Sequence, residues 1–144
     1  MRNLCMNQTQ NIALDSCVVI DIMEKPKVAS GLKARLRGKS VKIILCDIVL
    51  GEVRRVRGYL PEKIISKVSK LLGRKIELSN SNEVTLDNAQ DISNQFAICH
   101  NGDNKILSLC QARNFVLVTF DRMLLKTCQF LGVVAFHPKM AGGI

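Results

Sequence analysis

The stretch Asn11-Ile-Ala-Leu-Asp15-Ser16 runs from a short apolar segment directly into an acidic residue at a predicted turn. A second stretch, Phe115-Val-Leu-Val-Thr119-Phe-Asp121-Arg122, repeats the pattern near the other end of the chain. Short continuous aliphatic runs of this kind are typical of strands that are buried in a parallel sheet. In an open α/β sheet, ligands bind in the crevice beyond the carboxyl ends of the strands. The two stretches therefore predict that Asp15 and Asp121 emerge at one edge of a sheet.

Helices and further strands are predicted between and beside these two stretches. Residues 41–46 read as a buried strand, residues 48–59 as a helix, and residues 61–72 as an amphipathic helix that Gly73 ends. Residues 74–78 are either an edge strand or a linker. The remaining predicted helices cover residues 17–23, 27–37, about 83–98, 103–113 and 121–130, and a last strand covers residues 133–136. Strands that alternate with helices predict a parallel sheet in an α/β sandwich.

Size and composition are those of a globular domain, because the chain has 144 residues, of which 47% are hydrophobic and 23% charged. We assign residues 1–137 to a single domain and residues 138–144 to a flexible C-terminal tail. The chain has no signal-peptide pattern and no apolar run of roughly 18 residues, so we expect no membrane contact. Its six Cys are widely spaced, which predicts free, buried thiols in a reducing, cytoplasmic location.

The positive charge is concentrated in the middle of the chain. Residues 25–75 hold 15 Lys or Arg against three acids, whereas the overall net charge is +9. A basic segment of this kind favours contact with a polyanion, above all nucleic acid. A solvated helical surface explains a charge run on its own more simply, but an acidic pocket in the same chain favours nucleic acid. The predicted nucleic-acid-binding residues are Lys33, Arg35, Arg37, Lys39, Arg54, Arg55 and Arg57.

Four acidic residues are predicted to meet at the sheet edge. Asp15 and Asp121 follow strands directly, Glu52 lies one helical turn beyond a third strand, and Asp103 begins the helix that leads into the 115–119 strand. Each has a simpler explanation, because Asp15 and Asp121 could cap helices for about 0.5–2 kcal/mol. Asp103 could favour the helix dipole, and Glu52 could pair with an Arg one turn away. Together, however, they would repel one another unless a cation such as hydrated Mg²⁺ or Mn²⁺ neutralised them.

An ion held in this way suits phosphodiester hydrolysis. It can bind the phosphate, stabilise the developing charge and activate a water molecule for in-line attack. The surrounding Lys and Arg would hold flanking phosphates. We therefore predict a phosphodiesterase that acts on nucleic acid, with His100 and His137 as loop residues and Asp21 as a peripheral acid.

Four segments, in order, resemble the motifs of PIN domains. Leu14-Asp15-Ser16 resembles the opening motif, in which a hydrophobic strand ends in Asp followed by Ser or Thr, and Val49-Leu-Gly-Glu52-Val resembles the second. His100-Asn-Gly-Asp103-Asn-Lys-Ile-Leu and Val118-Thr119-Phe-Asp121-Arg122 resemble the third and the fourth. The order and spacing fit, and the resemblance spans roughly residues 11–136.

The resemblance implies a three-layer α/β/α sandwich with a central, mostly parallel sheet and a Mg²⁺- or Mn²⁺-dependent endoribonuclease that acts on RNA. The implied catalytic residues and metal ligands are Asp15, Glu52, Asp103 and Asp121, with Ser16 and Thr119 as supporting hydroxyls. Stand-alone members of this size are often toxins that a cognate antitoxin neutralises, and they are commonly homodimers. Other members act in ribosomal RNA processing or RNA decay. The remaining alternatives are a catalytically silent RNA- or protein-binding module, and a DNA-directed nuclease or a different metal-dependent phosphotransfer enzyme.

One position departs from the family pattern. Asp47 stands just before the second motif, where a hydroxyl residue is more usual. It is either a fifth, supporting carboxylate of the pocket or a helix cap, and we favour the cap.

Overall fold

A single sheet of parallel strands forms the centre of the protein. The computed structural model describes residues 8–81 and 103–139. Within them, the strands are β1 (Gln10–Leu14), β2 (Val41–Cys46), β3 (Ile76–Ser79), β4 (Val116–Val118) and β5 (Ala135–Phe136). The strand order is β3-β2-β1-β4-β5, and every neighbouring pair is parallel. All carboxyl ends therefore lie at one edge, and the predicted parallel sheet is confirmed.

Helices connect the strands and form the outer layers. They are α1 (Ser16–Glu24), α2 (Pro26–Arg35), α3 (Asp47–Arg57), α4 (Pro61–Leu72), α5 (Asp103–Arg113) and α6 (Arg122–Leu131). The connections from β1 to β2 and β3 run in one direction along the sheet, and the connection from β4 to β5 runs in the other. Because parallel crossovers are right-handed, helices α1 to α4 cover one face and α6 covers the opposite face. This arrangement is the predicted α/β/α sandwich.

Most element boundaries follow from local signals in the sequence. The predictions for residues 41–46, 61–72 and 103–113 match the structure. For residues 74–78 the sequence predicts either an edge strand or a linker, and the structure has an edge strand at residues 76–79. Pro26 both ends α1 and opens α2, because its fixed φ suits the first helical position. Gly73 ends α4 with a left-handed φ of 63°. The predicted helix over about residues 83–98 and residues 140–144 of the predicted tail lie outside the described residues.

The core is aliphatic and includes three of the cysteines. Cys46, Cys110 and Cys128 are free and buried, as predicted, and burial raises the pKa of both Cys46 and Cys128 to about 12. Cys17 is also free, but it is exposed near the start of α1, so the prediction of a buried thiol is wrong there. Of the helices described, none has the length and apolar character that a membrane span requires.

Candidate active site

A cleft of about 350 Å³ opens at the carboxyl edge of the sheet, next to the two central strands β1 and β4. Among the described residues, it is lined by Asp15, Ser16, Cys17, Glu52, Asp103, Phe120 and Asp121. All four acids of the predicted metal-binding set therefore lie in one cleft. The parallel register explains this, because Leu14 pairs with Val118 and the residues that follow each strand emerge side by side.

Asp15 is the most buried of the four acids, with 8% of its surface exposed. Its Oδ1 accepts a hydrogen bond from the Ser16 backbone N–H at 2.8 Å, and its Oδ2 accepts one from the Thr119 hydroxyl at 2.8 Å. Burial raises the pKa of Asp15 above its usual value, and the negative charges of Glu52 and Asp121 raise it further, while the two hydrogen bonds lower it. Asp15, Glu52 and Asp121 therefore act on one another electrostatically.

Thr119 connects Asp15 to Asp121. Its fully buried hydroxyl donates to Asp15 and also accepts a hydrogen bond from the Asp121 backbone N–H at 3.1 Å. Asp121 itself caps α6, because its Oδ1 accepts hydrogen bonds from the backbone N–H groups of Met123 and Leu124, at 2.9 and 3.2 Å. Asp15 and Asp121 thus each accept a hydrogen bond at a helix start, as the capping explanation requires, and each also lines the cleft.

Glu52 reaches the cleft from the second turn of α3. Its Oε1 accepts a hydrogen bond from the Ser16 hydroxyl, which joins α3 to the start of α1. Its Oε2 lies 3.6 Å from Nη2 of Arg55, one helical turn away. From the sequence, an ion pair with an Arg was an alternative to a pocket position for Glu52. The structure contains both, because Glu52 pairs with Arg55 and also lines the cleft.

Asp103 is the first residue of α5 and is half-buried in the same cleft. Its charge reaches Cys17, since burial raises the pKa of the Cys17 thiol and the charges of Asp15, Glu52, Asp21 and Asp103 raise it further. Cys17 and Phe120 are the cleft residues that the sequence analysis did not select. Their positions offered a signal, because each is adjacent to a selected residue in a motif.

Asp47 does not line the cleft. Its Oδ1 accepts hydrogen bonds from the backbone N–H groups of Ile48 and Ser81, both at 2.9 Å, and its Oδ2 accepts one from the Ser81 hydroxyl at 3.1 Å. Burial alone would raise the pKa of Asp47, but the hydrogen bonds lower it overall. Its contacts are those of a residue that ties the start of α3 to the segment after β3.

The side-chain oxygens of the cleft determine which metal ion it could bind. Within residues 8–81 and 103–139, no group of three or more His, Cys, Asp or Glu side chains is arranged to hold a metal ion. The donors in the cleft are carboxylate oxygens, which Mg²⁺ and Mn²⁺ prefer. Mg²⁺ keeps several water ligands and is often held by only one or two carboxylates. The cleft therefore fits an ion that retains much of its water shell rather than an ion enclosed by protein ligands.

The basic residues predicted to bind nucleic acid are dispersed. None of the seven lines the acidic cleft, although Arg55 contacts Glu52 at its rim. Arg57 pairs with Glu24 at 2.9 Å, and Arg35 donates hydrogen bonds to two carbonyl groups near the end of the described chain. Lys39 lines a separate pocket at the amino edge of the sheet. Lys33, Arg37 and Arg54 are exposed.

The fold and the cleft define a class of α/β proteins that carry an acidic cleft at the carboxyl edge of a parallel sheet. The chain belongs to the PIN-domain family, whose model matches residues 12–129. Members of this family are generally nucleases. A comparison with curated protein sequences finds no match.

Solved structures of similar fold support this assignment. One is a chain from the structure of VapBC2 from Rickettsia felis bound to a DNA fragment from the VapBC2 promoter. It has a TM-score of 0.66 and 20% identity, and the match covers 89% of this chain and 98% of that chain. A domain of a functionally unknown protein from Methanocaldococcus jannaschii has a TM-score of 0.57 and 21% identity, covering 92% and 94%. A PilT N-terminus domain protein from Sulfolobus solfataricus has a TM-score of 0.52 and 11% identity, covering 90% and 88%. At these identities, the likeness concerns the fold.

Proposed function

We propose that this protein is a divalent-metal-dependent endoribonuclease that hydrolyses RNA phosphodiester bonds in the acidic cleft. The observation that carries the proposal is the convergence of four carboxylates in one cleft of a PIN domain. A cluster of negative charge would repel an RNA strand by itself, so the proposal requires a cation between the two. The overall net charge of +9 supports a polyanionic substrate.

Asp15, Glu52, Asp103 and Asp121 would hold Mg²⁺ or Mn²⁺ together, one or two of them by direct ligation and the others through the water shell of the ion. Such an ion, when bound, polarises the phosphate and lowers the pKa of a bound water, which makes that water a nucleophile. Hydrogen bonds from within the protein act on two of these carboxylates, Asp15 and Glu52. Thr119 donates a hydrogen bond to Asp15 and thereby favours its ionised form against the effect of burial. The Ser16 hydroxyl donates a hydrogen bond to one oxygen of Glu52 and holds this side chain in place. Glu52 therefore loses less rotamer freedom when a ligand binds.

We extend the proposal to the toxin of a toxin–antitoxin pair in the cytoplasm, with a cognate antitoxin as partner. The similarity in fold to a chain of VapBC2 supports this role. A homodimer is also proposed, because Val56 and Leu60, at the junction of α3 and α4, are 47% and 51% exposed. Ribosomal RNA processing or RNA decay is the alternative role for the same activity.

The test is cleavage of a labelled single-stranded RNA and of a DNA of matched sequence, with Mn²⁺, with Mg²⁺ or with EDTA. We expect the RNA to be cut with metal and left intact in EDTA, and the DNA to be left intact. Asp121→Asn should abolish cleavage and keep the fold, because Asn retains an oxygen that caps α6. Asp21→Asn is the matched control, since Asp21 pairs with Lys25 outside the cleft lining, and it should cut RNA like the parent.

Other outcomes would replace the proposal with a named alternative. RNA that binds but stays uncut with Mn²⁺ present would indicate a catalytically silent RNA-binding module. Cleavage of the DNA at a similar rate would indicate a nuclease without selectivity for the 2′-hydroxyl. Equal cleavage by the parent and Asp121→Asn would show that the catalytic assignment is wrong.

A further inference from the structure

Three cations lie near His137 beside the acidic cleft: Arg35 and Lys139 form hydrogen bonds with His137, and Arg122 begins α6 next to the cleft acid Asp121. We call this group, formed by Arg35, Arg122, His137 and Lys139, the cationic corner. It contacts the cleft through Phe120, whose ring lines the cleft. The His137 ring stands nearly perpendicular to that of Phe120, with 5.2 Å between centroids, and Nζ of Lys139 lies 5.9 Å from the Phe120 centroid. The corner and the cleft thus share one aromatic wall.

Arg35 fixes the chain segment that carries the corner. Its guanidinium lies over the ring of Phe136, 4.3 Å from the centroid, and its Nη1 donates hydrogen bonds to the carbonyl groups of His137 and Pro138, at 3.0 and 3.4 Å. The backbone N–H of Lys139 donates to Nδ1 of His137 at 3.0 Å. Helix α2 therefore holds the segment after β5 in place, although the two are about a hundred residues apart in sequence.

Two cations of the corner, Arg122 and Lys139, lack a carboxylate partner among the described residues, 8–81 and 103–139. Arg122 is also the first residue of α6, where the helix macrodipole disfavours a cation. The cations act on one ring, since burial lowers the pKa of His137 and the charges of Arg122, Lys139 and Arg35 lower it further. A bound anion would relieve this repulsion.

We propose that the cationic corner binds a backbone phosphate of the RNA strand, adjacent to the phosphate that is cut in the acidic cleft. This inference rests on the proposed function and adds a subsite to it. An Arg fork and a Lys ammonium are the side chains that bind phosphate oxygens most strongly. Neutral His137 adds a donor, because Nδ1 accepts a hydrogen bond and the ring proton is then on Nε2. Phe120 borders both sites, which places the proposed phosphate site next to the cleft.

The first experiment measures binding of a single-stranded RNA to the full chain with Ca²⁺, a cation that takes oxygen ligands and neutralises the cleft carboxylates in place of the Mg²⁺ or Mn²⁺ that cleavage requires. We compare the parent with the double variant Arg122→Gln/Lys139→Gln and with Lys126→Gln, an exposed cation of the same helix. The double variant should bind RNA about tenfold more weakly at low salt, and the slope of log K against log salt should fall by about 0.7 for each phosphate that the variant no longer neutralises. Lys126→Gln should bind like the parent.

The second experiment uses His137 as a reporter. The chain has two histidines, so in a His100→Gln background the imidazole proton signal belongs to His137. RNA should shift this signal in the parent and leave it unchanged in the double variant. The same signal is measured with inorganic phosphate alone at millimolar concentration. A shift with both phosphate and RNA indicates a general anion site, and a shift with RNA alone indicates a site that requires the strand.

The outcomes separate the subsite from the proposed function. If RNA binds the parent and the double variant equally, or leaves the His137 signal unchanged, the subsite is wrong while the nuclease proposal stands. If the parent neither binds nor cuts RNA, both are wrong. Loss of folding does not imitate the expected result, since removal of repelling charges should leave the melting temperature of the double variant equal or higher.

Discussion

The acidic cleft and the cationic corner share one residue, Phe120, and they differ in whether their charged groups have partners within the protein. In the cleft, the oxygens of Asp15 accept hydrogen bonds from fixed protein donors. In the corner, Arg122 and Lys139 have no carboxylate partner among the described residues. Groups fixed by internal donors are preorganised for a reaction, whereas unpaired charges are available to a ligand. Under the proposed function, this contrast favours cleavage in the cleft and phosphate binding at the corner.

The largest expected effect is on the rate of RNA cleavage, with RNA binding at the corner unchanged. Asp15→Asn should lower kcat on RNA by at least about 100-fold, because it removes a metal-binding charge from the cleft. Arg122→Gln/Lys139→Gln should instead raise KM and leave kcat within about twofold, because it removes uniform binding. Steady-state kinetics on one RNA would measure both. A fall in kcat alone for the double variant would contradict the division between cleft and corner.

The next effect tests the internal donors of the cleft. Thr119→Val should lower the free energy of unfolding by about 1–3 kcal/mol, because the buried Asp15 carboxylate loses a donor and the Asp121 N–H loses an acceptor. Thr127→Val is the control, since Thr127 is also buried but its hydroxyl donates to the backbone carbonyl of Met123 within the same helix and to no carboxylate among the described residues. This variant should change the free energy by less than about 1 kcal/mol. Urea denaturation without metal measures both. Equal effects would show that the Thr119 hydroxyl has no special role.

A smaller effect separates the two tasks of Asp121. Asp121→Ala should lower the free energy of unfolding by about 1 kcal/mol, because α6 loses its cap. Asp121→Asn should be close to the parent in stability, while both variants lose cleavage. Thermal unfolding and a cleavage assay measure the two properties. If Asn destabilises the protein as much as Ala, the charge rather than the cap stabilises the start of α6.

The smallest effect concerns the pH dependence that the corner produces. The pKa of His137 is lowered from 6.5 by burial and by Arg122 of α6, by Lys139 and by Arg35 of α2. The folded state therefore binds fewer protons than the unfolded state, so this contribution to stability is present above pH 6.5 and is lost as the pH falls through the lowered pKa. His137→Gln should remove this loss, which we expect to be under about 1 kcal/mol between pH 7 and 5.

The control for the pH prediction is His100→Gln, the other histidine of the chain. Urea denaturation at several pH values would measure the slope of unfolding free energy against pH in each variant. If His137→Gln keeps the slope of the parent, the cations of the corner do not act on this ring as described.

Local patterns predicted the sheet and the cleft well. A continuous aliphatic run marked β2, and Pro61 and Gly73 marked the ends of α4, because each of these signals acts within one element. The acids of the cleft were found because parallel strands place the residues that follow them at a common edge. Strands β4 and β5 are shorter than predicted, since an aliphatic run does not show where pairing with a neighbour stops.

The corner could not be predicted from the sequence. It depends on the packing of α2 against the segment after β5, and no local pattern joins Arg35 to residues 137–139. The count of charges in residues 25–75 showed an excess of cations but not their directions. Lys39 illustrates this, because it belongs to the same basic run and yet lines a pocket at the opposite edge of the sheet.

Thr119 has a consequence for how such a protein can diverge. One hydroxyl contacts the first acid of the cleft and the backbone of the last, across two neighbouring strands about 4.8 Å apart. The Thr119 hydroxyl therefore ties the position of the Asp121 backbone to Asp15 and to the pairing of β1 with β4. Insertions and deletions around the rim can change which substrate enters while this interval between the two acids stays constant.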